Sequence, residues 1–151
     1  MLRTLVVAAM VAAAMAGFDS INPDLVIKSV DRSIDITTQL AKINYKITVE
    51  NTGKATVKSF LFSVDPALAA KVAFVGATAG SSEKTYLRVA EAKVAAHPGV
   101  PFWRVELKSA LAGGAAATVA VEAVLGGALE MFPAAITQKE KQLARWEAPQ
   151  D

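Results

Sequence analysis

At 151 residues the chain has room for one ordinary domain with a core of its own, and a composition of 53% hydrophobic and 20% charged residues excludes intrinsic disorder. The net charge of +2 comes from 16 basic and 14 acidic residues scattered along the chain, which excludes a phosphate-binding footprint and hence a nucleic-acid partner. Cysteine is absent, so disulfides, thiol nucleophiles and thiolate metal sites are excluded as well.

The first segment reads as a cleavable signal peptide covering residues 1–16. Met1-Leu2-Arg3 is a short positive region, residues 4–13 are apolar, and Ala14 and Ala16 flank Met15 in the small-x-small pattern cleaved before Gly17. A spanning helix needs ~20 apolar residues, and this run meets Phe18-Asp19-Ser20 too soon. The three asparagines, Asn22, Asn44 and Asn51, never begin Asn-x-Ser/Thr, so the chain carries no N-glycan acceptor.

From there period two dominates. Val26, Val30, Ile34 and Ile36 share one parity over residues 24–38, interrupted by Lys28 and Arg32, as one bent strand or two short ones. Ile43, Tyr45, Ile47 and Val49 alternate with polar residues through residues 41–50, the clearest strand in the chain. Asn51-Thr52-Gly53-Lys54 is turn chemistry, and Phe60, Phe62 and Val64 return on one face, so these two runs are expected to form a β-hairpin. Asp65-Pro66 is an N-cap followed by a first-turn proline and predicts a short helix before Lys71. Further strands are expected at 72–75, 86–94, 102–107 and 117–125, with a small-residue loop at 76–84 and a Pro98-Gly99 turn. Residues 115–136 are apolar enough to resemble a membrane helix, but Glu122, Glu130, Gly126-Gly127 and Pro133 argue for a strand, with Val119, Val121, Ala123 and Leu125 on one face. The fold class is all-β: an antiparallel β-sandwich with one short helix, preceded by the signal peptide.

Candidate chemistry is sparse. His97 stands alone in a turn, Ser81 and Ser82 follow Gly80 without the rest of a phosphate loop, and Asp31 and Asp35 share parity in a strand among Lys28 and Arg32, where a solvated face competes with a hydrolase pair. Phe102 and Trp103 are candidate partner contacts, as a sugar-stacking platform or as a strand with one face in the core and one toward a partner. No catalytic residue, metal site or cofactor is expected.

The order of segments resembles a known family. Residues 34–42, Ile34-Asp35-Ile36-Thr37-Thr38-Gln39-Leu40-Ala41-Lys42, and Ser59-Phe60-Leu61-Phe62 before Asp65-Pro66 resemble the amino-terminal lumenal part of ribophorin I, subunit 1 of oligosaccharyltransferase. Phe132-Pro133 followed by Ile136-Thr137-Gln138-Lys139-Glu140-Lys141-Gln142 is similar to that family's Pro-x-x-Ile-Thr-Gln-x-Glu-Lys-Gln segment. The resemblance implies a non-catalytic subunit of the complex that transfers a dolichol-linked oligosaccharide to asparagine, on the lumenal side of the endoplasmic reticulum membrane. Its partners would be the other subunits and nascent polypeptides, glycosyl transfer belonging to a separate catalytic subunit. Residues 17–142 are expected to be the lumenal β-sandwich. Residues 143–151 are expected to be a divergent, truncated tail, without the family's second lumenal domain or membrane anchor. Read from the residues alone, the alternative is a secreted β-sandwich of adhesion or carbohydrate-binding type.

Overall fold

A computed structural model describes residues 18–80, 85–132 and 143–146, so Ala14, Ala16, Ser81 and Ser82 lie outside the described residues. It is an antiparallel β-sandwich. A five-stranded sheet has the order β1 (Leu25–Asp35), β2 (Ala41–Asn51), β8 (Ala116–Leu125), β4 (Val72–Ala79), β5 (Thr85–Leu87). Against it lies a three-stranded sheet ordered β3 (Val57–Phe62), β7 (Phe102–Leu111), β6 (Val89–Ala92). A two-stranded ribbon joins β9 (Glu130–Phe132) to β10 (Leu143–Arg145). No helix among the described residues is long and apolar enough to cross a membrane.

The period-two reading of β2 and β8 holds residue by residue. Ile43, Ile47 and Val49 are buried in register with Ala123, Val119 and Ala117, while Lys46 and Lys42 pair outward with Ala120 and Val124. Facing them, Phe60, Phe62, Val105 and Leu111 close the main core from the other sheet. The apolar run at 115–136 is therefore no membrane helix where it is described: β8 is the central strand of the larger sheet, and Glu122 sits across from Asn44 and Gly76. The short helix α1 (Pro66–Ala69) begins as its sequence dictates, with the Asp65 carboxylate accepting a hydrogen bond from the Ala67 amide at 2.7 Å and proline in the first turn.

Five expectations change. The runs at 41–51 and 57–62 do not form a hairpin: β2 pairs with β1 and β8, and β3 pairs with β7 in the opposite sheet. The turn between them is a crossing, held by Asn51. Its side chain is fully buried, donating to the carbonyls of Ala55 (2.7 Å) and Leu111 (3.0 Å) and accepting from the Gly53 amide (3.0 Å). The Asn51 backbone also exchanges bonds with the β7–β8 turn through Gly114 N (2.7 Å) and Ala115 O (3.0 Å). That turn presses so close that a Cβ on Gly113 would collide with the Gly53 carbonyl oxygen, and its Gly114 has φ of 76°.

The expected single strand at 86–94 is broken at Arg88, where the chain leaves β5 in one sheet and enters β6 in the other. The expected loop at 76–84 starts later than predicted, because β4 continues to Ala79 along β8; β7 likewise runs on to Leu111. In β1 a bulge between Ile27 and Ser29 shifts parity, so Ile27, Val30 and Ile34 align with the buried Val49, Ile47 and Ile43, while Val26 falls on the other face. These three are nevertheless exposed, since β1 is the edge strand of the larger sheet and the facing sheet has only three strands.

Tyr45 bridges the two parts of the core. It packs against both hydrophobic clusters and meets the Phe62 ring edge-on, with centroids 5.2 Å apart. Burial pushes its hydroxyl above the ordinary value of 10.0, opposed by the charge of Arg32, its register partner on β1. Below that ordinary value both folded and unfolded chains hold a neutral phenol. As pH climbs past it the unfolded chain ionises first, so stability is lost progressively until the folded value is passed. The urea midpoint of the wild type is expected to drop between about pH 8 and about pH 11 more than that of Tyr45→Phe; equal drops would remove Tyr45 as the cause.

Candidate functional site

A concavity of about 1280 Å³ lies at one end of the smaller sheet. One wall is the stretch from the end of β6 through the 93–101 loop into β7, bringing in Glu91, His97, Pro98, Pro101, Phe102 and Trp103. Pro66 and Ala69 of α1 form a second wall, and Phe18 and Asp19 form the rim. The Pro98-Gly99 turn reverses the chain with Gly99 at φ of 86°, and Ser63 anchors its return by donating to the Pro101 carbonyl at 3.0 Å.

Both candidate contacts from the sequence are here, with different surroundings. Trp103 packs on the main core and lies 6.4 Å from the Phe62 ring, whereas Phe102 points to the other side of the strand, with its ring 6.0 Å from the ring of His97. Glu91 stands beside Trp103 in the β6–β7 register, and Arg104 stands beside Ala90. Arg104 donates from Nη1 to the Asp19 carboxylate at 2.8 Å, clasping the amino-terminal segment to the rim. Asp19 and Arg104 escaped the sequence reading, since nothing local links residues 85 positions apart.

The other candidates lie elsewhere. Asp31 and Asp35 are exposed on β1, opposite Lys46 and Lys42. Asp35 accepts from the Thr37 hydroxyl (2.7 Å) and amide (2.9 Å), which hold its carboxyl below the ordinary range. This is a capped strand end on a solvated face. Among the described residues no cluster of three or more His, Asp or Glu is placed to hold a metal ion. What the cleft offers is contact chemistry: aromatic and proline surfaces, an exposed imidazole, a carboxylate, and a guanidinium already holding an acid.

Comparison with known proteins fits the segment order read in the sequence. A family model described as Ribophorin I matches residues 25–150. The chain belongs to the ribophorin I family. The match covers every described strand and continues past Gln142, so the similarity includes the segment that sequence reading set apart as divergent. There Leu143–Arg145 forms β10 against β9, and Trp146 packs on the second core cluster of Ala41, Ile43, Leu68, Leu125 and Ala128.

Similar curated members of the ribophorin I family carry the name dolichyl-diphosphooligosaccharide–protein glycosyltransferase subunit 1. The chain is 33% identical over 127 residues to subunit 1B of Arabidopsis thaliana, covering 80% of this chain and 27% of that protein. It is 32% identical over 127 residues to subunit 1A of the same plant, covering 80% and 21%. To subunit 1 of Caenorhabditis elegans it is 28% identical over 114 residues, covering 76% and 19%. The chain thus spans a fifth to about a quarter of the length of these relatives.

Proposed function

We propose that the chain serves as a non-catalytic subunit of the oligosaccharyltransferase complex, supporting N-linked glycosylation of nascent proteins on the lumenal side of the endoplasmic reticulum. The observation that carries this reading is the Ribophorin I match over residues 25–150, together with the similarity over 127 residues to subunit 1 proteins. Residues 1–16 direct the chain into the secretory pathway and are removed after Ala16, and residues 17–142 form the lumenal sandwich. Its partners are the other subunits of the complex, with nascent polypeptides passing close by. Phe102 and Trp103 are the contact residues, and a cleft built from aromatic rings and prolines supports a binding rather than a reacting role for them.

Isolation of the tagged full chain from detergent-solubilised microsomes is the direct test. The catalytic subunit and its companions are expected to come down with it, and Phe102→Ala is expected to weaken their recovery without changing the melting temperature of the purified chain. A chain that is secreted to the medium, or recovered without any other subunit, would overturn the assignment.

A further inference from the structure

The cleft contains a feature that contact chemistry alone does not explain: an extended segment already seated on a strand edge. Among the described residues β6 pairs only with β7 and ends the smaller sheet. Just beyond its last residue the amino-terminal segment continues the ladder. The Asp19 amide donates to the Lys93 carbonyl at 2.8 Å, and Asp19 forms a parallel bridge with Val94. The side chain then completes the seat, its carboxylate on Arg104 at 2.8 Å. Backbone pairing plus one side chain held in a prepared place is the physical pattern of peptide recognition by strand addition.

This strap is held lightly. Phe18 is 68% exposed, and the described ties of the segment to this edge are one backbone hydrogen bond and one partly exposed ion pair, each a weak contributor in water. The cleft beside it is much larger than two side chains need, and the edge of β6 along Val89–Ala92 remains unpaired among the described residues. An open edge next to apolar walls is a template for another strand.

We infer that the cleft is a strand-addition site for an extended segment of a second polypeptide, running parallel to β6 and carrying an aromatic residue followed directly by a carboxylate. The chain's own Phe18-Asp19 occupies the same seat as a displaceable placeholder. Arg104 selects the carboxylate, the edge at residues 89–94 pairs with the backbone, and Phe102, Pro98 and Pro101 receive the aromatic ring. This inference rests on the reading of the cleft as a contact surface; it does not need membership of the complex.

The test uses the purified chain and a fluorescein-labelled peptide, Gly-Phe-Asp-Ser-Ile-Asn-Pro, copied from residues 17–23. Tethering gives the strap an effective concentration of order millimolar. The peptide is therefore expected to bind the Phe18→Ala/Asp19→Ala variant several-fold more tightly than the wild type. Binding to that variant is expected to fall about tenfold or more on adding Arg104→Ala, and equally when the peptide's aspartate becomes asparagine. Arg104→Lys is expected to retain part of it, and circular dichroism confirms that each variant is folded. Saturable binding that ignores Arg104 and the peptide carboxylate would overturn the proposal, as would no binding to the folded strap variant. Displacement of the peptide by a free oligosaccharide would assign the site to a glycan and equally overturn it, as would a dimer of the strap variant that is lost on Arg104→Ala and shuts out the peptide, which would assign the site to a second copy. Because no other subunit is present, these results are independent of the co-isolation result.

Discussion

Replacing Asn51 with leucine is expected to cost about 3 kcal/mol of folding stability, out of the 5–15 kcal/mol typical of a domain, although leucine is apolar and similar in size. The amide is completely enclosed and makes three hydrogen bonds, to Ala55 O, Leu111 O and Gly53 N. Leucine leaves the buried Leu111 carbonyl without a bond, and the Ala55 carbonyl and Gly53 amide without one at partly buried positions, and an orphaned buried group costs about 1–3 kcal/mol. Urea unfolding, read as a fall in midpoint at constant slope, measures it. Thr48→Val is the comparison: it removes the 3.1 Å hydroxyl contact to Thr118 on the partly buried face and is expected to cost about 1 kcal/mol or less. Equal losses for the two variants would show that the crossing at Asn51 is not a staple.

Leu125→Ala is expected to cost a similar amount, about 2–5 kcal/mol. Leu125 is 0% exposed and ends β8 between Ala41 of β2 and Val72 of β4, above Ile43, Leu68 and Ala128. On the sides of Ala41 and Ala128 there is no side chain to lean into the space, so part of the cavity persists and adds its cost to the lost burial. Trp146 packs on this cluster, so its fluorescence is expected to shift to the red in the folded variant, a signature of local loosening. Leu40→Ala, at a position 42% exposed, is expected to cost under about 1 kcal/mol. A Leu125→Ala loss as small as that would mean the cluster closes around the gap.

The all-β class was legible because burial on one face leaves an alternating record, and β2 and β8 keep it without interruption. The pairing of strands was not legible. Asn51-Thr52-Gly53 reports that the chain turns, but whether the next strand returns to the same sheet depended on a hydrogen bond to Leu111, 60 positions away. Arg88 gave no warning either, since neither glycine nor proline marks the passage from β5 to β6. In β4 the run Ala77-Thr78-Ala79 after Gly76 has weak strand character of its own and is held extended by β8 alongside. The cleft was half legible. Phe102 and Trp103 stand out as large side chains on opposite faces of one strand, while the Asp19–Arg104 clasp is a product of the fold.

The interleaved strand order also sets a schedule. As the chain emerges from its amino end, β1 and β2 can close at once, across a loop of five residues between Asp35 and Ala41. The other edge of β2 then waits for β8, and β3 has no neighbour until β7 arrives. Long-range pairings of this kind close slowly, and unpaired edges are the surfaces through which partly made chains stick together. Neither sheet can be finished before residues 102–125 are synthesised, so until then the growing chain carries open edges, and its window of greatest vulnerability opens with β2 and closes with β8.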